Sequence, residues 1–81
     1  GGAVSDTTAP FTVADGGTYQ FRITASSMPS FAAGSPSFTV EYAGQIGSDY
    51  FFKVHTVGQP GDGCGFYVNS SAAPVAVATI V

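Results

Sequence analysis

At 81 residues the chain has room for a single domain, spanning 1–81. Its 44% hydrophobic and 14% aromatic content, with only 9% charged residues against roughly 25% in an average soluble domain, argues against intrinsic disorder and for a packed core. The formal net charge is −3 and the only cations are Arg22 and Lys53, so neither the basic stripe of a nucleic-acid binder nor polybasic docking to anionic lipid is available.

In chain order, short apolar runs alternate with Gly, Pro, Ser and Asp clusters, the punctuation of an all-β chain. Phe11–Val13 reads as a short first strand, preceded by pairing near Ala3 and Val4. Asp15-Gly16-Gly17 suits a tight hairpin turn, because glycine takes positive φ at little cost. Thr18–Thr24 is the clearest strand: Tyr19, Phe21 and Ile23 alternate with Gln20, Arg22 and Thr24, giving one apolar and one wet face. Residues 30–32 form a short strand carrying Phe31, and Gly34-Ser35-Pro36 turns the chain.

Phe38, Val40 and Tyr42 alternate with Thr39 and Glu41 in the next strand, and residues 43–48 read as a hairpin loop. Residues 49–57 form the longest strand, with Tyr50, Phe52, Val54 and Thr56 on the core face and Phe51, Lys53, His55 and Val57 opposite. Residues 58–65 hold four glycines and read as a connection between adjacent strands, with Cys64 in it. Residues 65–69 return as a strand with Phe66 and Val68 opposite Tyr67, residues 69–74 turn, and residues 75–81 form a last strand apolar on both faces. Such a strand belongs inside a sheet. The expected core is Tyr19, Phe21, Ile23, Phe38, Val40, Phe52, Val54, Phe66, Val68 and Val77.

About seven short strands with turn signals every 8–12 residues is the pattern of an immunoglobulin-like antiparallel β-sandwich. A small barrel alternates inward and outward residues in the same way and is the alternative. No apolar run approaches the ~20 residues of a membrane-spanning helix, so no membrane insertion is expected. A single cysteine leaves no intrachain disulfide. The Gly1-Gly2 start, without Met, reads as that of a segment excised from a larger secreted protein.

Few residues suggest chemistry. Cys64 and His55 are the lone thiol and imidazole, and a nucleophile–base pair needs them within hydrogen-bond reach with a third group orienting the base. A surface histidine and a free thiol in a loop are the simpler reading. Asp6, Asp15, Asp49 and Asp62 with Glu41 are the carboxylates. Three of them border glycine-rich turns, where aspartate serves backbone hydrogen bonding, so turn chemistry outweighs paired-acid hydrolysis. No calcium-loop spacing exists, and residues 58–65 lack the Lys-Ser/Thr end of a phosphate loop. Asn69-Ser70-Ser71 matches the glycosylation acceptor triplet. The expectation is therefore no enzyme, no cofactor, no metal and a monomer. Sugar rings stack on exposed aromatics, and Tyr67 and Phe51 are the candidates for that role, since the other aromatics are needed for packing.

Four stretches together carry a resemblance: Val4-Ser5-Asp6-Thr7-Thr8-Ala9-Pro10-Phe11-Thr12-Val13, Gly16-Gly17-Thr18-Tyr19-Gln20-Phe21-Arg22-Ile23-Thr24, Gly47-Ser48-Asp49-Tyr50-Phe51-Phe52-Lys53-Val54 and Gly65-Phe66-Tyr67-Val68-Asn69. The chain resembles the small C-terminal β-domain that follows the catalytic domain in some lysozyme-type family 25 glycoside hydrolases and related secreted proteins of gut Firmicutes. That resemblance implies an extracellular or cell-wall location and a non-catalytic accessory role, and it names no ligand. Peptidoglycan or a cell-surface glycan is the partner expected if the exposed aromatics bind sugar. Muramidase activity would belong to the neighbouring domain, and no catalytic residue carries over to this chain. A structural spacer or protein-interaction domain without a small ligand is the alternative.

Overall fold

The computed structural model describes residues 10–81 and the backbone of Val4–Ser5. Among these, the strands are β1 (Val4–Ser5), β2 (Phe11–Val13), β3 (Thr18–Thr24), β4 (Phe31–Ala33), β5 (Phe38–Ile46), β6 (Asp49–Thr56), β7 (Gly63–Val68) and β8 (Ala76–Ile80), and no helix occurs. Seven strands have three residues or more, and β1 adds a two-residue bridge.

They form two sheets, β1-β3-β6-β5 and β2-β8-β7-β4, which we call sheets I and II. This order is that of an immunoglobulin-like sandwich, with most connections crossing between the sheets and only β5–β6 and β7–β8 joining neighbours within one. The pairing is antiparallel throughout except β2–β8, which is parallel, so the fold is not purely antiparallel.

Two connections differ from expectation for this reason. Asp15-Gly16-Gly17 is not a hairpin, because β2 and β3 lie in different sheets. It is still a tight turn: the Gly17 amide donates to the Ala14 carbonyl at 2.7 Å and Gly16 sits at φ 76°. Likewise the glycine-rich segment after β6 does not join adjacent strands but carries the chain from sheet I to sheet II. The β5–β6 connection is a true hairpin, tighter than the expected loop. Pairing continues to Ile46↔Asp49, leaving Gly47 at φ 59° and Ser48 as the turn. A bulge between Tyr42 and Gly44 lets β5 run through the segment that reads as loop.

The core between the sheets is aromatic. Phe66 of β7 is fully enclosed and lies 5.3 Å from Phe21 of β3, 5.4 Å from Phe38 of β5 and 5.8 Å from Phe31 of β4. In many immunoglobulin domains a disulfide and a tryptophan occupy the space between the sheets. Here a phenylalanine cluster fills it, and each ring pair adds about 0.5–1.5 kcal/mol beyond its buried area.

Expectations for four residues are corrected. Val77 is 41% exposed, while Ala76, Ala78 and Ile80 of the same strand are buried. The reason is volume: Ala76 lies opposite Phe66, and Ala78 lies between Phe11 and Cys64, so that face has room for a methyl group and little more. Tyr42 is 49% exposed because on this last strand of its sheet its ring meets, among the described residues, only the Phe52 ring at 5.6 Å, whereas Phe38 of the same strand also reaches Phe66 of the opposite sheet at 5.4 Å. Tyr19 and Val40 are partly buried at the margin of the core rather than within it. Strand β8 does run inside its sheet, as its two apolar faces suggest.

Candidate functional site

Each sheet turns one face to the core and one to solvent, and the two solvent faces differ in charge. The outer face of sheet I carries Arg22, Glu41, Asp49, Lys53 and His55, placed side by side by the β3–β6–β5 register. Both cations of the chain are therefore on this face. Thr24 Oγ1 donates to Asp49 Oδ1 at 2.7 Å, and His55 Nε2 lies 3.9 Å from Glu41 Oε1.

Among the described residues, the outer face of sheet II carries no charged side chain. Thr12, Ala32, Gly63, Gly65, Tyr67, Val77 and Thr79 alternate out of strands whose other residues face the core. Tyr67 is half-buried because it lies down rather than standing off the sheet. A Cβ added to Gly34 would stand 2.7 Å from its Cε1, and one added to Gly65 would stand 3.4 Å from its hydroxyl. The Gly34 amide donates to the Gly65 carbonyl at 2.7 Å, so the two glycines are bonded neighbours and make the seat on which the ring rests. The sequence places Gly34 in a turn and Gly65 where a loop meets the 65–69 strand, and the Gly-x-Tyr spacing on one strand face is the signal that could have located the seat.

Phe51 is half-buried on the outer face of sheet I, in register with Arg22 and Gly44. Tyr67 and Phe51 thus lie on opposite outer faces and are not brought into one site. Of the two, only Tyr67 stands on an uncharged surface.

Cys64 and His55 are not brought together either. Cys64 points into the core from β7, 4% exposed, and is not in a loop. Its flanking glycines are strand residues, Gly65 being small because Tyr67 and Pro74 crowd it. His55 points to solvent on the far side of sheet I. Among the described residues no group of three or more His, Cys, Asp or Glu side chains is arranged to hold a metal, and no pocket opens in the surface they form. Asp6 lies outside the described residues.

Asp62 has a structural task. Its Oδ2 accepts from Ser37 Oγ at 2.9 Å and from the Gln59 amide at 3.0 Å, joining the β6–β7 crossover to the residue before β5. The Ser37 carbonyl in turn accepts from the Val57 and Gly58 amides. The Gln59 amide, with help from Ser37, holds the Asp62 carboxyl below the usual carboxylate range. In antibody-type domains a tyrosine hydroxyl often pins this corner; here a carboxylate does so. Asn69 is similarly engaged: its Oδ1 accepts from the Ser30 amide at 3.0 Å, and with Ser70 it takes positive φ to close the turn after β7.

No family model, no curated protein and no solved structure matches this chain. The fold therefore stands on its own strand order.

Proposed function

We propose that this domain is a non-catalytic accessory module of a bacterial cell-wall-associated or surface protein, and that it binds wall glycan on the outer face of sheet II. The observation that carries this reading is the Tyr67 ring, laid over Gly34 and Gly65 on a surface free of charge among the described residues. An aromatic ring offers an apolar face to the C–H side of a sugar while its hydroxyl meets the polar edge. The ring's orientation is set before any ligand arrives, which lowers the ordering cost of binding. The resemblance to β-domains of secreted lysozyme-type hydrolases supplies the extracellular setting and peptidoglycan as the polymer to try first.

A pulldown on purified peptidoglycan tests this reading. The domain is expected to be retained above an unrelated β-sandwich control, with Tyr67→Ala abolishing the excess and Phe51→Ala keeping it. Retention equal to the control, or equal for Tyr67→Ala and the parent, counts against the proposal. A protein-interaction domain without a small ligand is the second reading, and the nine-residue edge strand β5 favours it.

A further inference from the structure

The four sheet ends are unequal. β1, β2 and β4 span two or three residues each, whereas β5 spans nine and ends sheet I. Short edges offer little to a passing strand, and a long one is a ready template for pairing.

Hydrogen bonds at the end of β6 show which backbone groups that edge leaves over. The Thr56 amide donates to the Gly17 carbonyl next to β3, and the Val57 amide donates to the Ser37 carbonyl next to β5. Backbone direction alternates along a strand, so His55 and Lys53 turn their amides and carbonyls toward β5, where they face Thr39 and Glu41. By the same alternation Phe38, Val40 and Tyr42 turn theirs away from β6. Among the described residues no strand pairs with them; β4, nearby in the other sheet, bonds β7 instead. Proline and the bulge lie outside this window, Pro36 before it and the bulge after Tyr42, and Glu41 is the one charged residue inside it.

We propose that the Phe38–Tyr42 stretch of β5 pairs antiparallel with the same stretch of a second copy of this chain, with the twofold axis at Val40. That register sets Val40 against Val40 of the second copy, Phe38 against its Tyr42 and Thr39 against its Glu41. The outward backbone groups of Phe38, Val40 and Tyr42 then become the bonded positions. The aromatic pairs at both ends lie on the core side, where Tyr42 is now 49% exposed. A twofold axis at Glu41 instead would set two like charges face to face. The two copies of sheet I would join into one eight-stranded sheet.

The charge at position 39 tests this register. Thr39 is exposed on the solvent face beside His55, so both a glutamate and a lysine fit the monomer there. Sedimentation equilibrium from micromolar to millimolar concentration should show a reversible monomer–dimer exchange for the parent chain. Thr39→Glu places two carboxylate pairs across the contact and should weaken it, whereas Thr39→Lys should strengthen it, each by about two- to thirty-fold in the dissociation constant. Amide exchange at Val40 and Tyr42 should slow as the dimer fills, and thermal midpoints at low concentration confirm that both variants fold. A chain that stays monomeric throughout, a shift of the same sign for both variants, or a dimer in which the Val40 and Tyr42 amides exchange as in the monomer overturns the proposal. Protection of those amides only on addition of an unrelated extended peptide overturns it too, and assigns the edge to a foreign strand.

Discussion

Replacing Phe66 by alanine is the most direct test of the phenylalanine cluster that joins the two sheets. Phe66 is fully enclosed and its ring meets two rings from sheet I, Phe21 and Phe38, and two from sheet II, Phe31 and Phe11. Truncating an enclosed phenylalanine costs about 3–5 kcal/mol, because the cavity closes only in part. A domain of 81 residues is stable by about 4–12 kcal/mol, so alanine brings it close to its unfolding threshold. Leucine keeps most of the buried area but loses the ring–ring geometry and should cost about 1–2 kcal/mol. Urea unfolding followed by far-ultraviolet circular dichroism measures both, and the chain has no tryptophan to rely on instead. A loss below about 2 kcal/mol for alanine, or equal losses for the two variants, would show that the rings do not form the principal contact between the sheets.

Other outcomes follow from particular positions. The Asp62 carboxyl is held below its usual range, so its contribution is fully present above the unfolded value of 3.8 and is lost as pH falls through the lower folded value. Thermal midpoints measured against pH should therefore fall in acid for the parent chain, and Asp62→Asn should start lower at neutral pH and fall less. Gly34→Ala drives a methyl group to 2.7 Å from the Tyr67 ring and should cost about 1–3 kcal/mol, with Tyr67→Ala in the same chain recovering part of the loss in a double-mutant cycle. On β8 the two faces should respond in opposite fashion: Val77→Thr within about 0.5 kcal/mol of the parent, Ala78→Val destabilising by about 1–3 kcal/mol, both read from urea midpoints. Equal effects at 77 and 78 would contradict the face assignment.

Strand positions were legible because alternation is a local property. Tyr19, Phe21 and Ile23 in β3, and Tyr50, Phe52, Val54 and Thr56 in β6, declare their inward face within a few residues, and the structure places them as that period requires. The same reasoning reached the all-β sandwich and the aromatic nature of its core. It could also separate Tyr67 from its neighbours Phe66 and Val68, since the side on which a residue leaves a strand is set by the strand alone.

What only the tertiary structure decided depends on partners distant in the chain. Nothing near Phe11–Val13 says that it pairs in parallel with the last strand, or that Asp15-Gly16-Gly17 leads into the other sheet. Hydropathy ranks Val77 above Ala78, but the rings of Phe11 and Phe66 take up the volume beneath β8 and leave space for alanine. Tyr42 shares a face and an edge strand with Phe38 yet stands exposed, because Phe38 meets the Phe66 ring of the opposite sheet and Tyr42 meets, among the described residues, only the Phe52 ring of its own sheet. Gly34 and Gly65 acquire meaning only once β4 and β7 are side by side, with Tyr67 lying on the gap they leave. Periodicity is written into neighbouring residues, whereas sheet order and the fit of volumes arise from contacts that no local pattern contains.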